Sequence, residues 1–127
     1  MQDRHLYEYA VIRVVPRVER EEFINVGVIL FSKRKKFIKV LHQLHADKIL
    51  AMCETADIEQ IQKNLDSFER IAHGSRNGGP IAQMEIAERF RWLTAIRSSV
   101  IQTSRPHPGL CPEPEAKVQQ LFKELVL

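Results

Sequence analysis

Residues 6–15 (LYEYAVIRVV) put apolar side chains on both faces of an extended chain: Tyr9, Val11 and Val15 on one, Leu6, Ala10, Ile12 and Val14 on the other. The run is rich in aromatic and β-branched residues, which predicts a central strand covered on both sides. Pro16 ends it, because proline has no amide hydrogen for a sheet ladder. Residues 17–22 are a charged connection, and residues 24–31 repeat the doubly apolar pattern as a second strand. A polar, basic turn at 32–36 leads to a third strand at 37–42. Such short connections favour antiparallel neighbours, so residues 6–43 read as a three-stranded meander.

Beyond residue 43 the period changes. Residues 47–53 predict a short helix. At 57–72, Ile58, Ile61, Leu65, Phe68 and Ala72 recur along one helical stripe. Asp57 is its N-cap, with Gln60 as capping-box partner, and Gly74 supplies the left-handed stop. Residues 74–80 hold three glycines and a proline and form a loop. A further helix is expected at 83–97, with Met84, Ala87, Phe90 and Leu93 or Ile96 inward, then a fourth strand at 99–103. Residues 105–114 contain four prolines and a glycine, and read as irregular. Pro114 suits the first turn of a last helix, whose buried stripe is Val118, Leu121, Phe122 and Leu125. The expected class is α+β: an antiparallel sheet of three or four strands with helices packed on it, residues 1–127 being a single domain.

Composition narrows the partners rather than the fold. The chain is 44% hydrophobic and 28% charged, ordinary for a globular protein. Nineteen basic against 16 acidic residues leave a net charge of +3, a mild bias toward anionic partners. Cys53 and Cys111 form no CxxC pair, which excludes a zinc ribbon or thioredoxin motif; two isolated thiols point to a reducing compartment, with one long-range disulfide as the alternative. The polar start, Met1 to His5, is followed by no apolar signal segment, and the longest apolar run, residues 26–31, is far too short for a bilayer. A cytoplasmic location is expected.

No complete catalytic set stands out. His42 and His45 make an H-x-x-H pair, and His107 with Cys111 another half-site, but neither reaches the ligand number of a metal centre; no metal and no cofactor is expected. The glycine loop lacks the GK[ST] ending of a phosphate loop and follows a helix, although Arg76 gives it some anion-binding character. Ser98, Ser99, Thr103 and Ser104 offer hydroxyls near His107 without a nucleophile elbow. Lys33, Arg34, Lys35 and Lys36 form the strongest basic run, which also suits a solvated hairpin turn. Arg89, Arg91 and Arg97 interleave with Phe90 and Trp92, a pattern that serves either nucleic acid or core packing.

Arg13 is the anomaly. It shares a face with Tyr9, Val11 and Val15, and a buried guanidinium needs a carboxylate or several acceptors. Glu21 and Glu22 are the nearest candidates. Asn25 and Gly27 are placed on one face of the second strand with Ile29 and Phe31; Gly27 marks a bulge or a close approach. Arg13, Glu22, Asn25 and Gly27 therefore form a candidate polar notch, either structural or functional.

Two stretches carry a resemblance: YAVIRVVP leading to EFINVGV at 22–28, and RFRWL continuing through SVIQTS to HPGL at 107–110. Together they resemble a bacterial family catalogued as domain of unknown function 3037, over residues 6 to 127. The resemblance implies no chemistry. Its members are often encoded beside a kinase-like protein similar to HipA, which implies a protein partner. Three readings follow: an accessory or binding module for a partner protein; a weak nucleic-acid binder through Lys33–Lys36 with Arg89, Arg91 and Arg97; and an enzyme of unknown class built on Arg13, Glu22 and Asn25. Arg89, Arg91, Trp92, Arg97, Gln102 and His107 are the further candidate anion or partner contacts.

Overall fold

The computed structural model describes residues 4–97 and 99–127; residues 1–3 of the polar start and the Ser98 hydroxyl lie outside the described residues. Strands β1 (His5–Val14), β2 (Ile24–Ser32) and β3 (Phe37–His42) form the expected antiparallel meander. Two further strands, β4 (Ile101–Thr103) and β5 (His107–Cys111), share the other edge of β1, giving a five-stranded sheet. β5 pairs with residues 5–9 and β4 with residues 12–14. Ser104 closes the gap between them. Its amide donates to the Val11 carbonyl at 2.9 Å, and its Oγ accepts from the Val11 amide at 2.9 Å.

The strand at residues 107–111 overturns the expectation of irregular chain there. Its one proline, Pro108, suits an edge, where a missing amide hydrogen leaves no ladder bond unmade. The Tyr7 ring lies across Gly109, covering the position where a side chain is lacking.

Helices cover both faces. Helices α1 (Ala46–Met52), α2 (Ile58–Ala72) and α3 (Ile86–Leu93) pack on one, burying Ile12, Val14, Ile29 and Val40 with Ile49, Leu65 and Phe90. Helix α4 (Pro114–Leu125) covers β2 and β3 on the other, burying Val28 and Leu30 with Val118 and Leu121. Burial on both sides is why β1 and β2 read as continuous apolar runs.

Asp57 caps α2 through Oδ1, which accepts from the Gln60 amide at 3.1 Å. The reciprocal half of the expected capping box is absent, because the Gln60 side chain turns to Asn64 instead. Gly74, at φ +69°, ends the helix, with its amide on Ile71 O and the Ser75 amide on Arg70 O. Helix α3 is shorter than its periodicity predicts. Met84 lies outside it at 38% exposure, and Ile96 stands 96% exposed. Thr94 Oγ1 donates back to Phe90 O at 2.8 Å as the helix stops.

A bulge between Ile12 and Arg13 pairs Ile12 with Gly27 but Arg13 with Asn25, leaving Val26 as the extra residue. A one-residue insertion reverses the faces beyond it. Asn25 therefore does not share a face with Gly27, Ile29 and Phe31, as strict alternation predicts; it joins Arg13 on the α4 side. Gly27 meets both of its expectations. It flanks the bulge, and a Cβ there would stand 2.6 Å from Leu41 O.

Candidate functional site

On the α4 side of the sheet, Asn25, Arg13 and Gln102 are cross-strand neighbours on β2, β1 and β4. His107 lies further along the same face, paired with Tyr9, the two rings 5.3 Å apart. Glu22 does not join them. Its carboxylate takes a 2.5 Å hydrogen bond from Arg20, which holds it below the usual carboxylate range. Arg13 instead lays its guanidinium on the exposed Phe23 ring, 4.1 Å from the centroid. The notch drawn from the sequence thus loses Glu22 and, through the bulge, Gly27. It gains Phe23 and Gln102.

The opposite face holds a cleft of about 590 Å³. Its floor is Leu6 on β1 and Phe31 on β2, and Phe31 stacks on Phe90 of α3 at 5.1 Å. Glu8 and Arg91 form one wall, and Lys33 and Arg34 stand on the rim. Arg91 grips Glu8 with two bonds, 3.0 and 2.7 Å, which raises the guanidinium pKa further and satisfies the one carboxylate of the cleft. The rim cations make no ion pair among the described residues. Leu110 on β5 lies directly opposite Leu6; the two are 58% and 60% exposed and extend the apolar floor to the sheet edge.

The other arginines disperse. Arg89 donates to the carbonyls of Met84 and Ala82 and fastens the loop before α3. Arg97 stacks on Trp92 at 4.4 Å and donates to its carbonyl. Only Arg91 reaches the basic turn. Ser104 is committed to the Val11 backbone and Ser99 Oγ to Ile101 O, so both hydroxyls are engaged. Among the described residues no group of three or more His, Cys, Asp or Glu is placed to hold a metal ion. His42 lies 3.7 Å from Glu69. Cys53 and Cys111 are both free, and burial raises the Cys111 thiol pKa, which makes it a poor nucleophile.

Sequence reasoning passed over Leu6, Phe31, Leu110, Glu8 and Phe23. Leu6 and Phe31 counted as core and Leu110 fell in the stretch read as irregular; only the pairing of β5 with β1 shows that Leu6 and Leu110 lie together at an uncovered edge. A signal for Glu8 was present: it is the one acidic residue of its strand, on the same face as Ala10 and Ile12.

A five-stranded antiparallel sheet with helices on both faces defines an α+β protein whose exposed features are an apolar, cation-rimmed cleft and a polar row on the opposite side. The chain belongs to the family described as protein of unknown function (DUF3037), whose profile matches residues 9–126. No curated protein and no solved structure matches the chain. Among the described residues no helix is long and apolar enough to cross a membrane.

Proposed function

We propose that this chain is a binding module that docks an acidic segment of a partner protein, anchored by an apolar side chain, in the Leu6–Phe31 cleft. The observation that carries this reading is the pairing of an apolar floor with an unneutralised basic rim at Lys33 and Arg34, where the only carboxylate, Glu8, is already held by Arg91. The volume of about 590 Å³ lies within the about 300 to 1,000 Å³ of ligand pockets, room enough for a bulky side chain together with its backbone. The exposed Leu6–Leu110 strip continues past the cleft, which favours an extended polypeptide over a compact small molecule. The family resemblance offers a HipA-like kinase as the carrier of the segment. A cytoplasmic setting fits two free thiols.

Nucleic acid is the second reading, and it rests on the exposed Lys33–Lys36 turn. It is weaker because Arg89 and Arg97 are tied elsewhere, leaving few cations to meet phosphates. The two readings separate on co-purification from native cells. A protein that elutes with the wild type, is lost from Leu6→Asp and resists nuclease supports the module. Loss of every bound species on nuclease treatment overturns it.

A further inference from the structure

The face opposite the cleft carries a second feature that docking a peptide segment does not use. Asn25, Arg13 and Gln102 stand side by side on three adjacent strands, and directly opposed residues of antiparallel strands project to the same face. Phe23 supports the guanidinium from below. No carboxylate among the described residues lies within 4.0 Å of Arg13. Arg13 Nε is buried with no acceptor, and Asn25 Oδ1, across the bulge, is buried with no donor. The orientation of Asn25 is fixed: its Nδ2 donates to Leu125 O at 3.2 Å, and flipping the amide would set oxygen against oxygen. Gln102 is anchored likewise, Nε2 to Ser99 O at 2.8 Å. An orphan donor and an orphan acceptor thus sit in one row, beside a guanidinium fork whose plane is held by stacking.

We infer that this row is a binding site for a small oxyanion that also carries a hydroxyl: hydrogen phosphate or an α-hydroxy carboxylate. The guanidinium takes oxygens of the anion through charge-assisted bonds, its Nε included. The hydroxyl of the ligand donates to Asn25 Oδ1. An acceptor-only anion such as sulfate meets the Asn25 lone pairs instead and is disfavoured. An ordered water also satisfies both orphans, and is the competing occupant.

The test is titration of the full chain with inorganic phosphate and, separately, with sulfate at matched ionic strength near neutral pH, following the Arg13 Nε–H resonance by NMR. A saturable shift with phosphate is expected, with sulfate about tenfold weaker, the worth of one hydrogen bond to a charged group. Arg13→Lys, which keeps the charge but loses Nε and the fork, weakens phosphate by a similar factor. Gln102→Glu, at the partly exposed end of the row, weakens it by repulsion and serves if Arg13→Lys does not fold. No saturable shift, equal response to the two anions, or undiminished binding by a folded variant would overturn the site and leave water as its occupant. Because the cleft lies on the other face, Leu6→Asp leaves phosphate binding unchanged, so failure here and failure of the docking proposal are distinguishable.

Discussion

Ser104 shows a side chain completing a sheet. Where β4 and β5 leave the outer edge of β1 unpaired, its Oγ accepts the Val11 amide, and both residues are buried. Ser104→Ala leaves that amide without an acceptor and is expected to cost about 1–3 kcal/mol in urea unfolding; a cost within error would show that water replaces the hydroxyl. His73 does similar work at the opposite edge. Its Nε2 accepts the Val40 amide at 3.1 Å, which requires a neutral ring. Burial lowers its pKa, opposed by Glu69 and assisted by Lys39, Arg89 and His42. The unfolded chain therefore binds the proton more readily than the folded one. The stability from this group is complete above about pH 6.5, the ordinary histidine value, and is lost as pH falls below it. Stability should decline on going from about pH 7 to 5, and His73→Gln, which keeps an acceptor but cannot titrate, should flatten that decline. Neither role was legible beforehand, since a serine beside prolines and a histidine after a helix carry no sign of which distant amide they will meet.

At the scale of elements, the legible parts were those whose pattern repeats. β1 to β3 showed doubly apolar runs with short connections, α2 showed a stripe with a cap and a stop, and α4 began at its proline. Failures came where one residue breaks the period. The bulge reversed Asn25, α3 ended at Leu93 although Ile96 fits its stripe, and β5 was hidden by flanking prolines and by Pro108, which an edge strand tolerates. Of the candidate site, Arg13, Asn25, Gln102 and Arg91 were found from sequence. Two of their contacts were not, because they join distant segments: Gln102 pairs with Arg13 between β4 and β1, and Arg91 meets Glu8 across 83 residues. Gly27 was read correctly as a special position. Alanine normally suits a strand interior better than glycine, but here its methyl meets the Leu41 carbonyl. Gly27→Ala is therefore expected to destabilise by about 1–3 kcal/mol, against its propensity; a gain in stability would mean that β3 yields.

For the whole molecule, the sheet is shared by two cores: α1 to α3 bury one face, α4 the other. Neither layer keeps its partner if the sheet opens. Residues 1–127 are accordingly proposed to unfold as one domain, with fluorescence of Trp92 on the α3 side and far-ultraviolet dichroism giving coincident transitions. Separate midpoints would mean that one layer melts alone. The same sheet presents different chemistry on its two sides, apolar with a basic rim beside α3 and polar beside α4. Docking of an acidic segment uses the first of these. Its most direct test is the Kd of the isolated partner protein for the wild type, for Leu6→Asp and for Lys33→Glu combined with Arg34→Glu, with fold stability checked in parallel. All three positions are exposed, so stability should hold while both variants bind at least about tenfold more weakly, a loss of about 1.4 kcal/mol. The charge-reversal variant should also lose the salt dependence of the wild type. Unchanged affinity in both variants, with the fold intact, would contradict the account.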